Sequence, residues 1–132
     1  MNGFTTHDWH RDPRNPILPP GGGPFDVDCC MNPFALRRGD EYYLFYAGGD
    51  AKHARRVCLA IAPVTDLTNW KRLGPLFDIG KKGAFDDRWC VLPCVHRIGG
   101  RWHLYYTGNS SVGSGLQGFW GIGLAVSDDL LH

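Results

Sequence analysis

The chain repeats itself. Residues 25–48 (FDVDCCMNPFALRRGDEYYLFYAG) lie over residues 85–108 (FDDRWCVLPCVHRIGGRWHLYYTG) without a gap, at a constant spacing of 60 that carries Pro33 onto Pro93. Phe25/Phe85, Asp26/Asp86, Cys30/Cys90, Arg37/Arg97, Gly39/Gly99, Leu44/Leu104, Tyr46/Tyr106 and Gly48/Gly108 are identical. One structural unit is therefore used twice, and any fold must be assembled from two copies of it. The match extends outward, since Pro16-Ile17-Leu18 answers Pro75-Leu76-Phe77, and Leu59 to Trp70 is echoed from Leu124 to His132. These limits predict one partial domain over 1–132, with repeats at 12–70 and 73–132, the second stopping before its outermost strand.

Alternation and turn residues define the unit. Pro33 to Arg38 and Glu41 to Ala47 flank Gly39-Asp40, and the second copy turns at Gly99-Gly100, which signals a tight hairpin in each repeat. A third run follows in each (Arg56 to Ala62; Phe119 to Ser127), and Trp70 to Leu73 supplies a fourth in the first. Four short antiparallel strands per period predict an all-β chain of about two β-propeller blades. No stretch shows helical periodicity.

Composition narrows the function classes. A hydrophobic fraction of 43% with 13% aromatic residues suits a globular β protein. Fourteen basic and thirteen acidic residues leave a net charge of +1 without basic runs, which argues against a nucleic-acid partner. No apolar run approaches a membrane span, and the N-terminus lacks the pattern of a signal peptide, so the expected setting is cytoplasmic with no membrane partner.

The five cysteines (Cys29, Cys30, Cys58, Cys90, Cys94) form no metal-ligand spacing and read as reduced, mostly buried thiols. The six histidines are scattered, and no metal or cofactor is expected. Gly21-Gly22-Gly23-Pro24 precedes no helix and reads as a turn. Asn109 to Gly118 makes a loop five residues longer than its counterpart, judged from the offset rising from 60 at Gly48/Gly108 to 65 at Ala60/Ala125. Extra length there points to a binding rim or a bystander loop.

Met31-Asn32-Pro33 with Tyr42 to Tyr46, Leu59 to Ala62 with Asp66 to Trp70, and Gly83 to Asp86 with Leu104 to Gly108 together resemble the five-bladed propeller glycosidases. That group comprises glycoside hydrolase families 32, 43, 62 and 68 and the mannoside phosphorylases of family 130. The resemblance implies a funnel at the propeller axis where a carbohydrate sits and carboxylates from different blades act on the glycosidic bond. Such chemistry needs two carboxyl groups, about 5–5.5 Å apart for retention or about 6.5–9.5 Å for inversion. In the hydrolases an Asp commonly precedes the proline of the first inner strand. This chain has Asn32 there and Leu92 in the second repeat. Family 130 carries Asn-Pro in its first blade, as here, but Glu-Asp-Pro in its second, where this chain has Val91-Leu92-Pro93.

The repeat also sorts residues by role. What both copies keep serves the blade, whereas a substrate site needs different groups at equivalent places. Asp26 and Asp86 are shared and are expected to cap the turn entering each inner strand, with catalysis as the alternative. Asp28 opposite Arg88, Cys29 opposite Trp89 and Asn32 opposite Leu92 break the repeat. Asp28 is the candidate catalytic carboxylate, and Asn32, Arg88 and Trp89 are candidate sugar-binding residues. The competing reading pairs Asp28 with Arg88 between blades and puts Trp89 in the core. Asp87 reads as a solvated turn residue and is held in reserve.

These observations predict a glycoside hydrolase, with a non-catalytic sugar-binding propeller, an inactive fragment or a phosphorylase as alternatives. Two blades cannot close a ring, so apolar faces such as those carrying Tyr43, Phe45 and Tyr105 are expected to stay partly bare and drive self-association.

Overall fold

Seven strands make up the computed structural model, which describes residues 8–112 and 118–132. They are β1 (Cys29–Arg38), β2 (Glu41–Gly49), β3 (Arg55–Pro63), β4 (Lys71–Pro75), β5 (Trp89–Ile98), β6 (Arg101–Ser110) and β7 (Phe119–Ser127). Among the described residues there is no helix, and so none long and apolar enough to cross a membrane. The first blade is β1-β2-β3-β4, antiparallel throughout, and the second is β5-β6-β7. Both hairpins turn where the glycines predict, between Arg38 and Glu41 and between Ile98 and Arg101.

The repeat extends to details that no motif announces. Each inner strand, β1 and β5, carries a bulge at the same place. Register slips between Met31 and Phe34, and again between Val91 and Cys94, so Asn32-Pro33 and Leu92-Pro93 each face one partner residue. Asn32 has φ 53° and Leu92 φ 54°. Asparagine tolerates this left-handed geometry, but in leucine the Cβ crowds the following carbonyl at a cost of roughly 1–2 kcal/mol.

The two blades share one core. Phe45, Val57 and Leu59 of the first blade pack with Cys90, Val95, Leu104, Tyr106 and Leu130 of the second, and Leu76 and Phe77 of the connecting segment are wedged beside them. Phe45, expected to be uncovered, is 1% exposed, because the second blade stacks directly on the face that carries it. Tyr43 packs against the same core. The bare face belongs to the second blade, where Tyr105, Ile122, Leu124 and Val126 are exposed. At one end the blades also touch through their backbones, where Arg55 of β3 bridges Trp89 of β5 in parallel register.

Candidate functional site

The shared aspartates lie inside the blades. Asp26 and Asp86 are both buried, and neither side chain caps its turn as expected. The turn is closed by backbone instead, through Gly21 N–H to the Asp26 carbonyl in one blade and Gly80 N–H to the Asp86 carbonyl in the other. The freed carboxylates reach across the blade. Tyr46 donates its hydroxyl hydrogen to Asp26 Oδ2 at 2.9 Å, and Tyr106 donates to Asp86 Oδ2 at 2.7 Å. The thiols of Cys30 and Cys90 lie 3.9 and 3.8 Å from the same two oxygens. Burial, then the neighbouring carboxylate, push both tyrosine hydroxyls well above the ordinary phenol range, so each remains a proton donor. The first blade adds a cation, for Arg72 of β4 binds Asp26 Oδ2 directly and the Pro19 carbonyl at 2.6 Å. Gly22 makes room for it. A Cβ there would run into the Arg72 guanidinium in the position where Asp26 and Pro19 hold it.

A second set of residues gathers where β1, β3 and β5 begin. The backbone fixes the rim by the same bond in each blade, Asp28 N–H to the Gly49 carbonyl and Arg88 N–H to the Asn109 carbonyl. Asp28 then faces His53, with Oδ2 3.3 Å from Nδ1. His53 carries φ 63° and turns its own carbonyl toward Trp89, whose indole Nε1–H donates to it at 2.9 Å. Arg55 and Arg88 both place their guanidinium carbons 4.3 Å from the Trp89 ring centre. Trp120 tilts against Trp89 at 5.7 Å. Gly49 lets Asp28 approach, because a Cβ there would meet Cys29 Sγ at 2.7 Å and Asp28 Oδ2 at 3.3 Å.

Asp28, Arg88 and Trp89 thus come together, linked through His53, while Asp26 and Asp86 are drawn away into their blades. The anticipated ion pair between Asp28 and Arg88 does not form: His53 takes the carboxylate and the indole takes the guanidinium. Trp89 is half-buried at the rim. Asn32 sits on the β1 bulge, partly exposed. Asp87 lies in the turn as expected, though less solvated than a free turn residue. It is half-buried and accepts the Gly83 backbone N–H at 2.7 Å, and that bond, followed by the Ser110 hydroxyl, holds its carboxyl below the usual range.

His53, Arg55, Gly49 and Trp120 escaped the sequence reading. The signal for two of them was present, because Arg55 and Trp120 occupy equivalent places at an offset of 65, paired with Gly49 and Asn109 respectively. They break the repeat in the same way as Asp28 and Arg88. Residues 113–117 of the long loop lie outside the described residues; its flanks are anchored by Asn109 Nδ2, which donates to the Phe119 carbonyl at 3.0 Å. The five cysteines are free thiols, Cys58 and Cys90 buried and the others half-buried. No group of metal-ligating side chains forms among the described residues.

Stacked antiparallel blades with a rim of polar and aromatic residues at the inner-strand entries describe a β-propeller glycosidase scaffold. The profile of glycosyl hydrolases family 43 matches residues 28–132, and the chain belongs to that family. A glycosyl hydrolase from Bacteroides ovatus superposes with a TM-score of 0.70 at 19% identity, over 89% of this chain and 37% of that one. A family 117 glycoside hydrolase from the marine bacterium Zobellia galactanivorans superposes with a TM-score of 0.67 at 26% identity, over 87% of this chain and 34% of that one. The chain therefore spans about a third of the length of these relatives. No curated protein matches it.

Proposed function

We propose that the complete protein hydrolyses a glycosidic bond and that the rim at the starts of β1, β3 and β5 forms part of its sugar-binding funnel. The observation that carries this reading is the family 43 match together with the convergence of Asp28, His53, Trp89 and Trp120, residues that differ between the two repeats. Asp28 is the carboxylate placed to act on substrate. Its Oδ2 faces a histidine that can steady its charge, and its approach is secured by Gly49. Asn32 on the bulge offers an amide for sugar hydroxyls, and the exposed Trp120 a surface for the apolar face of a ring. The second carboxyl group that acetal cleavage requires would come from a further blade. A non-catalytic sugar-binding propeller is the second reading, favoured by the non-ionisable Asn32 and Leu92 on the two bulges.

Asp28→Asn and Asp26→Asn, introduced into the full-length protein and assayed on a panel of aryl glycosides, separate these roles. Loss of turnover, about 100-fold or more, with an unchanged melting temperature is expected for Asp28→Asn, and a lowered melting temperature for Asp26→Asn. Full activity in Asp28→Asn, with loss of activity and no unfolding in Asp26→Asn, would assign the chemistry to the buried aspartates instead. Carbohydrate binding without turnover in the unmodified protein would favour the second reading.

A further inference from the structure

Cleaving a neutral glycoside gives no reason for the positive charge concentrated at this rim. Arg14, Arg56, Arg72 and Arg101 each pair with an aspartate. Arg55 and Arg88 have no carboxylate partner among the described residues; what holds them is the π face of Trp89. Cation–π contact orients a guanidinium but leaves its charge uncancelled. Both carbons lie 4.3 Å from one ring centre, so the two cations are no further apart than twice that distance and repel each other. Arg55 Nε is closed off from solvent and has no acceptor among the described residues, which is costly for a charged donor.

The repeat shows that the cation pair is not a requirement of the blade. Arg88 stands where the first blade has Asp28, and Arg55 stands where the second blade has Trp120. The two arginines come from non-equivalent positions of neighbouring blades and are brought together by the one parallel bridge between β3 and β5. Beside them Trp120 is 44% exposed and presents an aromatic face 5.7 Å from Trp89.

We infer that Arg55 and Arg88 form an oxyanion-recognition site, which selects a sugar bearing a uronate carboxylate or a sulfate ester while the ring rests on Trp120. The guanidinium fork matches the paired oxygens of either group, and neither guanidinium has its charge cancelled by a carboxylate among the described residues. Asp28 is engaged by His53 rather than by either arginine. This inference rests on the rim being a sugar site, and it adds the class of sugar.

The test is calorimetric binding to the full-length protein of oligogalacturonate, glucuronate-substituted xylo-oligosaccharide and sulfated galactan oligosaccharide, each against its carboxyl-reduced or desulfated counterpart. One acidic oligosaccharide is expected to bind at least about ten-fold tighter than its neutral counterpart, the advantage shrinking with added salt. The arm that shows the preference tells uronate from sulfate. Arg55→Gln and Arg88→Gln should each bring the ratio of acidic to neutral affinity most of the way to one, with Arg88→Lys intermediate, in variants whose melting temperatures match the parent. Equal affinity for acidic and neutral forms, or a preference surviving in the double glutamine variant, would overturn the inference while leaving the rim a sugar site. Failure of every oligosaccharide to bind would overturn both.

Discussion

The same face is sealed in the first blade and bare in the second. Phe45, Val57 and Leu59 are at most 1% exposed, whereas their counterparts Tyr105, Ile122 and Leu124 are 39%, 74% and 51% exposed. The residue types barely differ; the neighbour does. A blade of this kind holds half an interface rather than a core of its own, and its stability depends on the blade stacked upon it. The outermost strand marks a second difference. β4 brings Arg72 to Asp26, whereas among the described residues Asp86 is met by the Tyr106 hydroxyl and the Cys90 thiol. Ala60 is sealed beneath Trp70.

The bare face gives the largest expected effect. The isolated chain should self-associate at micromolar concentration, and replacing Ile122 and Leu124 by lysine should restore monomers in sedimentation velocity. A dispersed monomer from the unaltered chain would show that this face needs no cover.

The two aspartates come next, measured by urea unfolding of this 132-residue chain with Ile122 and Leu124 replaced by lysine. Asp26→Ala strands the mostly buried Arg72 and should cost about 3–5 kcal/mol. Asp86→Ala removes the charge-assisted bond from Tyr106 and the weaker one from the Cys90 thiol, and should cost about 1.5–3 kcal/mol. Equal losses would mean that Arg72 adds nothing to the first blade.

The bulges give a smaller, reciprocal pair. Leu92→Gly relieves a left-handed leucine and should stabilise by about 1 kcal/mol, and Asn32→Leu should destabilise by a similar amount. Both shifts are readable as changes in melting temperature.

The smallest effect concerns the thiols. Burial pushes Cys58 and Cys90 up to about 12, from an ordinary value of 9.0. Each binds its proton more tightly folded than unfolded, so its contribution to stability is whole below about pH 9 and is lost as pH rises toward 12. Iodoacetamide at pH 8 should label the half-buried Cys29 and Cys94 well before Cys58 or Cys90. Early modification of Cys90 would show that the seam between the blades opens.

Much of this architecture was legible in the repeat. An ungapped match dictates equal strand lengths and turns, and Phe119 to Ser127 coincides with β7 from end to end. The bulges were hidden for the same reason, since a feature present in both copies leaves no gap between them. At the candidate site, comparing equivalent positions singled out Asp28, Arg88 and Trp89, which lie in the gapless stretch. It missed Arg55 and Trp120, which lie beyond the five-residue insertion that shifts the offset. His53 was invisible because its part is played by a backbone carbonyl and a left-handed turn as much as by its ring. The turn of Asp26 and Asp86 away from their loops followed from tyrosines 20 residues downstream, a distance that short-range turn rules do not span.

The paired Asp–Tyr bonds bear on how such a molecule is inherited. A segment copied within a gene brings its own fastening, since Asp26 and Tyr46, or Asp86 and Tyr106, travel together in one stretch and need nothing from the neighbouring blade. The copy can therefore hold its shape while the exposed residues beside the fastening drift, and Asp28 can become Arg88, or the reverse, without loosening the strand behind it. New specificity then arises by changing a few letters at the lip of a spare part, and blades with the same fastening become natural units for exchange in engineered chimeras.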